Sequence, residues 1–242
     1  MGKTIAIMQR ELMSLFYSPI GYVVIAGFLL LTGVIVLVTD SVGAGKPASL
    51  RGVFEFAPYV LTIIIPAITM RTLSDEYRNG TIESLMTAPI SDTQMVVGKY
   101  LATVIFYGIM LACTLVYLVI LMWGCYPNSP DKMASLASYL GLFLLGVAFL
   151  AIGVFSSSLS KNQIVAWIIC VVPLMLFVWF AAYITRIVEG RLRDAFQMVN
   201  ILRHLDQFNR GLITADSVVF LVATAALFLF LAVKVVESKR WR

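Results

Sequence analysis

Of the 242 residues, 60% are hydrophobic and only 13% are charged, whereas a soluble globular domain carries about 45–50% apolar and about 25% charged residues. That balance excludes an ordinary water-soluble core and predicts an all-α, polytopic membrane protein embedded in a lipid bilayer. The formal net charge of +5 suits anionic headgroups, and without a basic run interleaved with aromatics it does not point to nucleic acid.

In chain order, Ile5, Met8, Leu12 and Leu15 recur at the spacing of one helix face, with Arg10, Glu11 and Ser14 opposite. Residues 4–18 therefore predict an interfacial helix whose apolar stripe lies in lipid, with Lys3 and Arg10 toward the headgroups. An ordinary helical lead-in is the alternative. Ser18-Pro19 ends it, because the residue before proline is pushed out of helical geometry. Tyr22 to Thr39 has no charged residue and is the first spanning candidate. It is longer than a signal-peptide core of about 7–15 residues, so an uncleaved anchor is expected.

The second apolar run, Phe56 to Met70, is short for a bilayer core of about 30 Å. Pro58 suits its first turn, Pro66 should bend its far end, and Glu55 reads as an interfacial carboxylate near a helix N-terminus. The third run, Tyr100 to Trp123, begins with the Ser91-x-x-Gln94 spacing of a capping box, and Lys99 is expected to snorkel from its first turns. Leu136 to Phe155 is the fourth, followed by a polar link, Ser156 to Gln163. Ile164 to Ile184 is the fifth, with a kink expected at Pro173 near its middle. From Ile184 to Leu205 apolar residues repeat at helical spacing, with Arg203 and His204 among the polar residues between them. This predicts external amphipathic helices within 185–216, ending near Gly211. Ser217 to Val236 is the sixth run. No linker divides the chain, so residues 1–242 read as one domain.

Six crossings place both termini on one side. If that side is the cytosol, ten basic residues lie inside and eight outside, or ten against three once 185–216 is set aside as folded structure. The expectation is N-in and C-in.

Catalytic patterns are missing from the sequence. Gly43-Ala-Gly-Lys46 lacks the spacing of a phosphate loop, and no H-E-x-x-H, G-x-S-x-G or Cys/His pair occurs. The three cysteines lack metal-ligand spacing, and His204 is the single histidine, so neither metal nor cofactor is expected in this chain. The spans also lack the midplane ionisable group of an ion-coupled carrier. A chain of this kind is expected to work with a partner that captures energy, which leaves the polar interruption from Arg71 to Ser91 as the candidate contact. There Asp75, Glu76 and Arg78 precede a break at Gly80, Thr81 can cap a short helix with Glu83 in its first turn, Leu85 sits near an apolar tip, and Pro89 closes the segment. It reads either as a rigid wedge for a groove on a cytosolic ATPase or as a solvated loop.

On these residues the chain resembles ABC-2 type permease subunits, and among them the gliding-motility ABC permease subunit family. The matching stretches are RELMSLFYSPIGYV from Arg10, IPAITMRTLSDEYRNGTIESLMTAPIS from Ile65, SSLSKNQIVA from Ser157 and FNRGLITADSVVF from Phe208, with a C-terminal ESKRW. The pattern of Glu76, Gly80-Thr81, Glu83-x-Leu85 and Pro89 is the most specific of these. The resemblance implies six transmembrane helices, an interfacial helix over residues 4–18, a coupling element over 71–91 and an external hairpin before the sixth span. It also implies pairing with a second permease subunit, identical or homologous, and docking on an ATP-binding subunit that holds the ATP and Mg. The expected function is an exporter half in the inner membrane of a bacterium. A membrane anchor or assembly factor that recruits an ATPase without transport is the alternative, and an intramembrane enzyme is disfavoured by the missing catalytic sets.

Overall fold

Ser18 adopts an extended backbone (φ −79°, ψ 131°) and Pro19 opens the next helix, so the N-terminal segment divides into α1 (Gly2–Tyr17) and α2 (Pro19–Val38). The computed structural model describes residues 2–39, 49–80, 90–124, 130–180, 183 and 200–240. Its further elements are α3 (Arg51–Thr69), α4 (Ser74–Asn79), α5 (Asp92–Cys113), α6 (Leu115–Gly124), α7 (Lys132–Leu159), α8 (Gln163–Met175), a π-helical turn (Leu176–Phe180), α9 (Ile201–Asn209) and α10 (Ala215–Arg240). Five helices among the described residues are long and apolar enough to cross a membrane: α2, α3 with its continuation to Asn79, α5 with α6, α7, and α10. Between Gln163 and Trp179 lies a shorter apolar helix.

α7 is the axis. It is the most deeply buried of the long helices and packs against α10, α3, α9, α8 and α5. Small residues permit that crowding, as expected where apolar lipid gives helices little reason to associate except close packing. A Cβ added to Gly146 would stand 2.2 Å from the Tyr107 ring of α5, and one added to Gly153 would stand 2.2 Å from the Thr69 hydroxyl of α3. At 28 residues α7 is about 42 Å long. That exceeds a hydrocarbon core of about 30 Å, so the helix is long enough to reach past the apolar layer.

Several boundaries differ from those expected. α3 begins at Arg51, not in the Phe56 region, so the second span has 19 residues and Pro58 lies inside it. The added turn carries Arg51 and Glu55, which pair at 2.8 Å across one turn and so tolerate a helical start in the interface. Ser156, Ser157 and Ser158 are not a link but the buried end of α7. Ser156 and Ser158 donate to their own helix at Ile152 O (2.9 Å) and Phe155 O (2.6 Å), which removes the cost of burying them. Pro173 lies near the end of α8 and near the middle of the apolar helix Gln163–Trp179, and the backbone widens into the π turn three residues later. Its missing N–H cannot close the helical ladder there. The expected capping box is complete: Gln94 N donates to Ser91 Oγ (3.2 Å) and Ser91 N to Gln94 Oε1 (3.3 Å). α9 ends at Gly211, in the left-handed region at φ 77°. His204, expected on its polar face, is buried instead. It stacks on Phe220 at 4.5 Å and its Nδ1 meets Ser217 Oγ at 2.9 Å. Residues 185–199 of the expected external segment lie outside the described residues.

Candidate functional site

α4 is a six-residue helix that hangs from α3 by the turn at Arg71 to Leu73 and ends at Gly80, φ 69°. So short a helix has no stability of its own, and its position is set by its neighbours. Its N-terminal amides, orphaned by helix geometry, point at α7: Leu73 N and Ser74 N each donate to Ser157 Oγ at 3.1 Å. The Ser157 hydroxyl donates in turn to Met70 O at 3.2 Å. One side chain from the end of α7 therefore serves as the cap that α4 lacks.

The acidic face of α4 meets α1 and α5. Lys99 of α5 is enclosed, with its side chain 1% exposed. Its Nζ lies 2.8 Å from Glu11 Oε1, 2.9 Å from Glu76 Oε1 and 2.7 Å from Thr72 O. Arg10 spans the same carboxylates from outside, 3.1 Å from Glu11 and 3.2 Å from Glu76. Thus two cations and two carboxylates from α1, α4 and α5 form one network. A cavity of about 180 Å³ beside it is lined by Ser14, Ser18, Arg71 and Asp75 as well as the Lys99 cluster. A buried charge needs this kind of pairing to be tolerated at all. The expectation that Lys99 snorkels fails for a plain reason: α1 covers its stem, and its ammonium reaches carboxylates rather than water.

The rest of α4 is tied as closely. Asp75 accepts a hydrogen bond from Gln163 Nε2 at the start of α8 and faces Arg71 Nε at 3.9 Å. Arg71 also donates to Ser18 Oγ, at the break between α1 and α2, at 3.2 Å. Tyr77 lies under Lys239 Nζ, 4.1 Å from the ring centroid, and the same ammonium donates to Ser158 O at 2.7 Å. A cation at the C-terminus of α7 is where the helix dipole favours one. The six residues 72–77 thereby touch α1, α5, α7, α8 and α10.

The residues singled out from sequence divide accordingly. Asp75 and Glu76 face inward and anchor α4, whereas Arg78 and Gly80 are exposed. Thr81, Glu83, Leu85 and Pro89 lie outside the described residues. On α1 the lipid-facing stripe is only partly as expected. Ile5 is 49% exposed, but Leu12 and Leu15 pack against the core, Met8 is half-buried, and Ile7, outside the stripe, is the buried contact. Ile7 reaches Gly98 of α5, where an added Cβ would stand 3.1 Å from it. Arg10 and Glu11, read as lying opposite the apolar stripe, pair with α4 and α5, and Arg10 stays 57% exposed. Sequence reasoning missed Lys99, Ser157, Tyr77, Gln163 and Lys239 as partners. One signal was available for Lys99: it stands alone before 31 uncharged residues.

A model of the ABC-2 family transporter proteins matches residues 7–178, well over half of the chain. The chain belongs to the ABC-2 transporter family. The match runs from α1 into the π turn, and so includes every residue of the network except Lys239. No curated protein matches the chain significantly. The protein is accordingly an integral membrane, permease component of an ABC transporter. ABC transport draws on ATP hydrolysis by an ATPase partner, and the permease family is the membrane component rather than the catalytic one.

Proposed function

We propose that this ABC-2 permease works as an exporter half whose α4 region receives the movement of a separate ATP-binding subunit. In this reading α4 is the described part of the coupling element over 71–91, α1 is the interfacial helix, and the chain crosses the membrane six times. The crossing beyond the five long helices, fifth in chain order, is supplied by α8 with its π turn. Both termini face the cytosol of a bacterium, ATP and Mg are held by the partner, and a second permease subunit, identical or homologous, completes the pore. The export direction and the kinship with gliding-motility permeases rest on the motif resemblance.

One observation carries the proposal: α4 cannot move alone. Its cap comes from α7, its acidic side from α1 and α5, and its flank from α8 and α10. Displacing it perturbs several packed helices at once, the rigid-body coupling that a two-state transporter needs. Arg78, exposed on the outer surface of this knot, is the residue to test. Affinity-purified chain should bring down an ATP-binding subunit with ATPase activity, and Arg78→Glu should lower co-purification or substrate-stimulated turnover at unchanged expression. A complex that forms but shows no substrate-stimulated hydrolysis would favour a membrane anchor instead.

A further inference from the structure

At the end of α3 away from α4, the N-terminal turns of α3, the π turn and α9 enclose a groove of about 680 Å³. That lies within the range of about 300–1,000 Å³ typical of small-molecule sites. Its walls are aromatic. Tyr59 meets Trp179 edge to face at 5.1 Å and Phe56 lies 6.4 Å from Tyr59. Trp179 and Tyr183 remain 56% and 67% exposed, so the rings are not consumed by core packing. Among the described residues the polar lining is Glu55, Asp206 and Asn209, with no basic side chain.

The charge is arranged with its negative end inward. Arg51 bridges Glu55 and Asp206 at 2.8 and 3.7 Å, and Arg210 holds the second Asp206 oxygen at 2.6 Å, yet neither arginine lines the groove. Ring faces and two carboxylates attract positive charge, and aromatic cages with acidic rims are how organic cations are held.

We propose that this groove binds an amphiphilic organic cation, its charge at Glu55 and Asp206 and its apolar body against Tyr59 and Trp179. The occupant's role as transported substrate rests on the permease reading, but its binding does not. Two isosteric ions of opposite charge, tetraphenylphosphonium and tetraphenylborate, separate the possibilities. The full chain in zwitterionic lipid nanodiscs, without ATP or partner, is measured by equilibrium dialysis against empty nanodiscs.

The expected result is saturable, one-site binding of tetraphenylphosphonium. The double variant Glu55→Gln, Asp206→Asn should weaken it about tenfold or more. Trp179→Leu, at a position that is 56% exposed, should weaken it several-fold even if the double variant misfolds. Equal saturable binding of tetraphenylborate would reduce the groove to a lipid-filled cleft. Cation binding unmoved by Trp179→Leu would overturn the assignment. Failure here leaves the ATPase coupling of α4 untouched, and failure of that coupling leaves the groove's binding intact.

Discussion

Replacing Lys99 by methionine keeps the length and apolar stem of the side chain and removes only its charge. In the native protein the ammonium stands 2.8 and 2.9 Å from two carboxylates. At an effective dielectric of about 20 each attraction is about 6 kcal/mol, and withdrawing three ions from water costs several kcal/mol apiece. The intact cluster is therefore close to neutral for stability, and Lys99→Met is not. It forfeits both attractions and the bond to Thr72 O, while Glu11 and Glu76 stay desolvated beside each other. Removing one partner of a buried pair costs about 3–5 kcal/mol. The lower end applies here, since Arg10 remains at 3.1 and 3.2 Å. Adding Glu76→Gln removes one of the stranded charges, so the double variant should recover at least about 1 kcal/mol, a non-additive pair. Thermal unfolding of the four proteins in one detergent, followed by thiol-reactive fluorescence at buried Cys170, measures the cycle. Additive single effects, or a Lys99→Met cost within about 0.5 kcal/mol, typical of a surface substitution, would refute the reasoning.

Other substitutions test other joints of the same network. Ser157→Ala strands two buried amides, Leu73 N and Ser74 N, and should cost about 2–4 kcal/mol and depress ATPase coupling. Ser156→Ala, one residue away, loses a bond to its own helix at Ile152 O and a weak one to the Cys170 thiol but strands no backbone amide, and should cost about 1 kcal/mol or less in the same melt. Gly146→Ala forces a methyl onto the buried Tyr107 ring and should cost about 1–3 kcal/mol, partly recovered when Tyr107→Leu vacates the space. Gly80→Ala meets no atom within 4 Å but is held at φ 69°, so its cost of about 1–2 kcal/mol is conformational, and Gly80→Asn should lose less. Ser91→Ala removes the cap of α5 and should lower stability by about 1 kcal/mol.

What was legible in the sequence follows from how each feature is encoded. Apolar runs, Ser18-Pro19, the Ser91–Gln94 box and Gly211 are local signals, and each appears where its chemistry requires. The centre of the fold was less legible, because α7 is distinguished by glycines that matter only once a facing helix is present. The α4 network was hidden for the same reason. Lys99 lies 88 residues from Glu11, and Asp75 lies 88 from Gln163, so nothing local pairs them. The serines after Phe155 read as polar linker because their satisfaction by the preceding turn is a property of the helix, not of the composition. The groove at the other end was reduced in sequence to Glu55 alone, since its walls come from three separate stretches of chain.

The central claim, that an ATP-hydrolysing partner grips this permease at the α4 knot, is tested most directly by disulfide or short-linker crosslinking from Arg78→Cys in native membranes. The account predicts a single adduct to an ATP-binding subunit, with a yield that changes when ATP and then vanadate are added. No adduct from Arg78→Cys, alongside efficient crosslinking from a cysteine at Lys161 or Arg10, would contradict it.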